Sequence, residues 1–409
     1  MKPLGPIPVG FNALDGELVI GGKNASALVE HAGGVTPLFV YSRELIERRL
    51  RELRAVLPAQ IEIHYAVKAN PYVPILELMS GLVDGFDIAS AGELQRVREA
   101  GIDPAIVSFA GPGKRDDELE AAIAVGTTLN LESRNEALRA LAIAERIGVT
   151  PRLAIRVNPT FELRGSGMKM GGGAKQFGID EHLVAPLARE LIAAGAEWRG
   201  LHIFAGSQAL DAEALIETQA NTLALAARLA DEIGARLPAL NMGGGFGIPY
   251  FAGDAPLDLA AVGDALKLRL DALPEILART EFTIELGRYL VGEAGVYLTR
   301  IVDRKESHGQ TFLIVDGGLH HQLAASGNFG TVVRRNYPLA IANRFDSAPE
   351  EEANVVGCLC TPLDRLADQA MLPRAEIGDL VSVFCAGAYG ASASPAAFLG
   401  HGPARELLV

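Results

Sequence analysis

The sequence predicts a closed parallel (β/α)8 barrel followed by an all-β domain. Three observations carry this expectation. Between residues 61 and 286, apolar strand-like runs alternate eight times with amphipathic helical stretches, the pattern of a barrel. After Arg288 the texture changes to short β-branched runs separated by turn residues. The glycine-rich GGGFG run beginning at Gly243 follows the seventh strand, whereas an open doubly wound sheet, the competing architecture, usually carries its glycine loop after the first.

In chain order, residues 1–35 are short apolar pieces (PIPVGFN, GELVIGGK) broken by Gly, Pro and Asn. They read as β-structure or loop without a core of their own, and are expected to join the C-terminal domain. Residues 37–41 read as a short strand. Ser42 is placed to cap a helix running to Leu57, with Glu44 in its first turn. The barrel strands are read at 61–67, 85–89, 106–110, 128–131, 153–157, 200–204, 239–242 and 282–286. Helices are read at 74–79, 92–100, 116–124, 134–147, 183–194, 212–233 and 261–278. Further strands at 296–303, 311–315, 351–357 and 380–386 make the all-β part. The domain plan is an N-terminal segment 1–35, a TIM-like barrel over 36–288 and a β-domain over 289–409.

Composition narrows the function. The chain is 49% hydrophobic and 21% charged, an ordinary globular balance. A net charge of −13 argues against nucleic acid or an anionic membrane as partner. The opening MKPLGPIPVG has no apolar signal region, and no apolar run is long enough to span a bilayer. Cys358, Cys360 and Cys385 cannot build a disulfide framework and point to a reduced, cytoplasmic setting. Cys358-x-Cys360 lacks the second ligand pair that a zinc site needs, so no metal is expected.

Barrel enzymes gather their sites at the C-terminal ends of the strands. Here those ends offer Lys68, Asp87, Ser90, Asn130, Arg156, Asn158, His202, Phe204, Ser207, Gly243, Gly244, Gly245, Glu285 and Arg288. Lys68 follows a buried strand, where desolvation would make its amine a nucleophile or Schiff-base former. Taken alone, a lysine snorkelling to solvent is as good a reading. The glycines after strand seven lie where barrels bind phosphate, since main-chain N–H groups can approach an anion closely there. A lysine, a phosphate cradle and a carboxylate in one barrel mouth describe a pyridoxal 5′-phosphate site. Lys68 would form the internal aldimine, Ser207 and the three glycines would hold the phosphate, and Glu285 would keep the ring nitrogen protonated.

The motifs YAVKAN, FDIASAGEL, GLHIFAGSQ, MGGGFG, ELGRYLV, VDGG, GCLCTPLD and GAYG occur in this order. Together they make the chain resemble the fold-type III pyridoxal phosphate-dependent decarboxylases, which include diaminopimelate, ornithine and arginine decarboxylases. The resemblance covers nearly the whole chain. It implies an alanine racemase-like fold and a cytoplasmic homodimer whose β-domains complete shared active sites. It further implies Lys68 as the cofactor lysine, Glu285 at the ring nitrogen and Arg288 at the substrate carboxylate. Tyr389 would contact phosphate and substrate, and Cys360 would be the catalytic cysteine given to the partner subunit. Asp87 is expected at the cofactor, and Arg334 or Arg335, with Tyr337, at the substrate.

The departures from the family pattern bear on specificity. Aligning on GSQ puts Phe204 where the family stacks a histidine on the cofactor ring; an aromatic face can still stack, without charge. His202, two residues earlier, shares that face and is read either as a helper or as a core histidine. Where the family places an acidic residue after the cysteine, to read a distal ammonium group, this chain has Thr361-Pro362. Residues 164–178 form a glycine-rich loop in place of a shorter KFGI-type one. This loop and CTPLD are most similar to a branch containing glutamyl-carrier-protein decarboxylases and decarboxylases of exosortase-type polysaccharide systems. The loop is read either as a mobile lid or as a carrier-protein contact through Lys169 and Lys175. The expected activity is decarboxylation of an α-amino acid or of an aminoacyl group on a carrier protein. The alternatives are diaminopimelate decarboxylation and racemisation; Glu285 argues against the latter, because alanine racemases put arginine at the ring nitrogen.

Overall fold

The computed structural model describes residues 1–327 and 334–409, without the side chains of Met168 and Lys169. The chain divides into two units, one comprising Leu50–Ile248 and Pro256–Gly287, the other Met1–Arg49, Pro249–Ala255 and Arg288–Val409.

The first unit is the barrel. Its strands are β1 (Ile61–Ala66), β2 (Gly85–Ile88), β3 (Val107–Phe109), β4 (Thr128–Leu131), β5 (Arg152–Asn158), β6 (Glu197–Ile203), β7 (Ala239–Asn241) and β8 (Glu281–Leu286). All neighbours are parallel, and β8 returns to β1 with Glu285 opposite His64, which closes the ring. Helices Arg134–Ile147 and Ala212–Ile233 have the expected bounds. The Ser133 side chain accepts a hydrogen bond from the Glu136 N–H, and Gly148 and Gly234 end the two helices in the left-handed conformation. The helix expected over 261–278 is shorter. It runs Leu259–Asp271, and Pro274 admits only a 3-10 turn, Glu275–Leu277.

Strand alternation gives the barrel a polar interior. In β1, Ile61, Ile63 and Tyr65 are buried on one face, while Glu62 and His64 line a cavity of about 310 Å³ toward the N-terminal strand ends. His64 Nδ1 lies 3.4 Å from Asp87 Oδ2. The Ser108 hydroxyl donates to Asp87, and Asn130 Nδ2 donates to Ser108 Oγ at 3.0 Å. Asp87, expected at the cofactor, therefore has its carboxylate engaged in this ladder.

The second unit is built on the long strand Gly295–Ser307. It pairs antiparallel with Gln310–Val315, with Leu380–Val383 and with Leu38–Tyr41. Leu38–Tyr41, which the plan above assigns to the barrel segment, is thus part of this sheet. Three strands outside the expected set complete it: Leu339–Ile341, Arg365–Leu372 and Arg405–Leu408. The N-terminal pieces form a small sheet, Asn12–Leu14, Glu17–Ile20 and Lys23–Asn24. Their expected β-or-loop character is corrected at Ala25–His31, which is helical. Ala25, Leu28 and Val29 share one face and pack with Leu18, Ile20, Leu38, Val296 and Phe384. The glycine pairs flanking this short segment mask its periodicity in the sequence.

His64 supplies a pH test. Burial opposes its charge, but the hydrogen bond and charge of Asp87, then Glu62, push its pKa up to about 9. The protonated ring therefore stabilises the fold fully below its ordinary pKa of 6.5, and this contribution disappears as pH rises toward 9. His64→Gln should lower the melting temperature at pH 6, by the equivalent of about 3 kcal/mol at most, with the gap to wild type closing by pH 9.5. A gap independent of pH would assign His64 a packing role only.

Candidate active site

Lys68 sits just past β1, in the turn Val67–Ala69. The Tyr65 hydroxyl donates to the Asn70 carbonyl at 2.9 Å, and Asn70 Oδ1 accepts from the Tyr72 N–H at 3.1 Å, so the turn is held from both sides. Of the two readings the sequence left open for this lysine, the structure has the exposed one: the strand stops at Ala66, and the Lys68 side chain is 44% exposed. Charge rather than burial orients it. Its Nζ is 3.6 Å from Glu285 Oε1 and 5.5 Å from the centre of the Phe204 ring.

Glu285 is buried on β8. Its Oε2 lies 3.2 Å from His202 Nε2. Burial works against its charge, but Lys68, the His202 hydrogen bond and Arg156 outweigh it and hold the carboxyl at about 2. It is a carboxylate at neutral pH. His202, which the sequence left between two readings, pairs in register with Arg156 on β5 and Asn241 on β7, and its contact is Glu285.

A wider set of charges escaped the strand-end reading. Glu93 Oε2 accepts from the Ala89 N–H at 2.6 Å. Burial raises its pKa, and it feels the charges of both Lys68 and Glu285. Glu132, the residue after β4, accepts from Arg156 Nη1 at 2.8 Å and from the Gly111 and Gly178 N–H groups, each at 2.7 Å. Lys114 and Glu136 make a buried pair at 2.7 Å. Glu93 lies inside FDIASAGEL and Glu132 directly follows a strand, so both signals were in the sequence.

The glycine run after β7 permits no side chains. Gly243 and Gly245 have φ of +68° and +86°. A Cβ on Gly244 would lie 1.9 Å from the Glu285 carbonyl oxygen, and one on Gly245 2.8 Å from that of Gly206. Gln208 clamps the run: its Nε2 donates to the Ile248 carbonyl at 2.6 Å, and its Oε1 accepts from the Ile248 N–H at 3.2 Å. Ser207 lies beside this clamp, paired through the backbone with Met168 of the 164–178 loop. That loop is folded onto the barrel end. The Met170 and Gly171 N–H groups donate to Ala205, and Asn158 Nδ2 to Gly173. The Lys169 side chain lies outside the described atoms.

Within the β-rich unit, Arg288 is held by tyrosines. Its Nη1 donates to the Tyr250 hydroxyl at 3.4 Å, and its guanidinium carbon is 4.9 Å from the centre of the Tyr389 ring. Burial pushes the Tyr250 phenol up to about 12, so it stays protonated. Tyr337 stacks 4.9 Å from Tyr250, and Arg335 lies 3.8 Å over Phe251. Arg334 turns elsewhere: its Nε and Nη2 are buried without a hydrogen-bond partner among the described residues, and Arg365 repels it. Cys360 and Pro362 are exposed and Thr361 half-buried. Asp364 spends both carboxylate oxygens on main-chain N–H groups, those of Leu319 at 2.7 Å and Leu359 at 2.9 Å.

The barrel residues fit pyridoxal 5′-phosphate. An amine, a stable carboxylate, an aromatic face and a glycine cradle with no room for a Cβ match the aldehyde, ring nitrogen, ring face and phosphate of that group. Comparison with known proteins agrees. The sequence model for the pyridoxal-dependent decarboxylase, pyridoxal binding domain, matches residues 43–292. The L-glutamyl-[BtrI acyl-carrier protein] decarboxylase of Niallia circulans is 37% identical over 91% of this chain and 88% of its own length. A diaminopimelate decarboxylase of Methanothermobacter thermautotrophicus is 32% identical over 93% and 87%. The crystal structure of Helicobacter pylori diaminopimelate decarboxylase complexed with L-lysine superposes with a TM-score of 0.78, at 28% identity, over 90% of each chain.

Two substitutions separate tethering from electronics. Lys68→Ala should remove the yellow absorbance of lysine-bound cofactor and its trapping by borohydride; a reducible adduct on another lysine would displace Lys68. Glu285→Gln should keep cofactor binding and lose turnover by roughly 10²-fold or more, because the buried charge expected to face the ring nitrogen is lost. Near-normal turnover would reject that role.

Proposed function

This chain belongs to the pyridoxal-dependent decarboxylases and is a carboxy-lyase using pyridoxal 5′-phosphate, and we propose that its substrate is an aminoacyl group borne by an acyl-carrier protein, with no distal ammonium. The observation that carries this is the Cys360-Thr361-Pro362 turn. Thr361 and Pro362 offer no charge where the family reads a cation, and the nearby carboxylate, Asp364, is consumed by the Leu319 and Leu359 N–H groups. A desolvated ammonium left unpaired costs several kcal/mol. Arg334, with two buried and unpartnered nitrogens, favours an anionic or carbonyl-rich ligand instead. The 37% identical relative acts on a glutamyl-carrier protein, which accords with this reading.

The cofactor, when bound, supplies an electron sink for the pair left as the α-carboxylate departs. The chain's own residues do the rest. Lys68 would tether the cofactor through Nζ. Glu285, held by His202, would keep the proton at the ring nitrogen. Phe204 would cover a ring face, and Ser207, Gly243, Gly244, Gly245 and Tyr389 would hold the phosphate. Arg288 and Tyr337 orient the substrate, and the Cys360 thiol supplies a proton to the carbon that loses carbon dioxide. We assign Cys360 to the site of a second copy, in a C2 homodimer. Among the described residues no helix is long and apolar enough to cross a membrane; with three cysteines and no disulfide, we place the enzyme in the cytoplasm.

Rates on glutamyl-carrier protein, free glutamate and meso-diaminopimelate should fall in that order; efficient turnover of meso-diaminopimelate would return the chain to lysine biosynthesis. Mixing Lys68→Ala with Cys360→Ala chains should restore up to about a quarter of the wild-type rate through heterodimers with one intact site. No recovery after verified subunit exchange counts against shared sites.

A further inference from the structure

We propose that the β-rich unit binds a borderline-soft divalent metal ion of the zinc class through His320, Cys358 and His401. The sequence offered Cys358-x-Cys360 without a second ligand pair; the fold supplies two imidazoles from separate segments. One ligand atom from each of the three residues lies within 4.8 Å of the others. His320 is the decisive member. It is fully buried, and among the described residues neither ring nitrogen has a hydrogen-bond partner. An unmet buried nitrogen is costly, and a metal bond would satisfy one of the two on this ring.

Its neighbour shows the contrast. His321 Nε2 is 2.8 Å from the Gly402 carbonyl and its Nδ1 is 3.2 Å from the Tyr297 hydroxyl. Those bonds fasten residue 402 beside the pair, which brings the His401 ring to 4.5 Å from that of His320. Cys358 approaches from the 357–364 turn, its Sγ 3.5 Å from the Asp316 carbonyl. Cys358 and His401 are exposed, so their side chains can close the gap to the roughly 3.5 Å ligand spacing that bonds of about 2.0–2.3 Å require.

Two imidazoles and a thiol select zinc-like ions over magnesium or calcium. As the metal–sulfur bond forms, the Cys358 proton leaves to solvent, and the two imidazoles bind neutral. Solvent takes the fourth position on the exposed side. The site lies two residues from Cys360, so an ion there would fix the turn that presents that thiol. The proposal stands whether or not Cys360 acts in catalysis.

The test uses untagged holoenzyme, stripped with a chelator and titrated with Zn²⁺ and, as a spectroscopic stand-in, Co²⁺. One equivalent of Zn²⁺ per chain should bind and raise the melting temperature. The Co²⁺ difference spectrum should show a sulfur-to-metal charge-transfer band. Cys358→Ser should abolish that band, and His320→Ala and the surface variant His401→Asn should each weaken binding at least tenfold. Cys360→Ser should leave binding intact. Absence of saturable binding to wild type would overturn the proposal. So would a band that survives Cys358→Ser but is lost in Cys360→Ser.

Discussion

The buried carboxylate of Glu285 is the constraint on which the barrel site turns. An anion inside a barrel loses its hydration, a penalty of several kcal/mol that only nearby charges and donors can offset. The fold supplies them from separate strands: His202 from β6, Arg156 from β5 and Lys68 from the turn after β1. Arg156 is in turn anchored by Glu132, which also grips the Gly111 and Gly178 amides. The chemistry and the closure of the ring are therefore one requirement, since β8 must meet β1 for Lys68 to reach Glu285.

The same strand explains the glycines. Gly244 passes so near the Glu285 carbonyl that any Cβ would overlap it, and Gly243 and Gly245 take up backbone conformations that side chains resist. A phosphate cradle needs exposed amides at a strand end; this one is obtained by pressing the main chain of one strand end against the next. Gln208 keeps the run in place through both atoms of its amide group.

What the sequence disclosed follows the range of its signals. Strand alternation and helix periodicity are local, and all eight barrel strands were legible with ends off by a few residues. Lys68, Glu285 and the glycines were legible because strand ends converge in a barrel. The short helix Ala25–His31 was hidden by its glycine neighbours. The exposure of Lys68 stayed open between two readings because a single turn separates it from the strand. Three-dimensional pairings were out of reach: nothing in the chain order joins His202 to Glu285, Asp87 to His64, or His320 to His401. The surroundings of Arg334 and Arg335 were likewise out of reach: Arg335 lies over Phe251, whereas Arg334 turns elsewhere.

Asp364 shows why a matching residue need not be a matching role. Asp364 stands three residues after Thr361, near enough in sequence to be mistaken for the acid missing there. Here its two oxygens cap the Leu319 and Leu359 amides, and a Cβ on either Gly318 or Gly357 would lie 2.1 Å from the carboxylate. It is a fastening between two glycine turns, needed whatever the substrate. Freedom to change specificity then falls to the residue after Cys360, which carries no such structural duty. Thr361 is half-buried, and among the described residues its hydrogen bonds are local: its N–H donates to the Leu359 carbonyl, its hydroxyl accepts from the Leu363 N–H and its carbonyl accepts from the Asp364 N–H. Under the substrate reading proposed above, a single position would lose its acidic charge and turn the pocket from ammonium-tailed amino acids toward neutral or anionic ones while the turn around it keeps its shape.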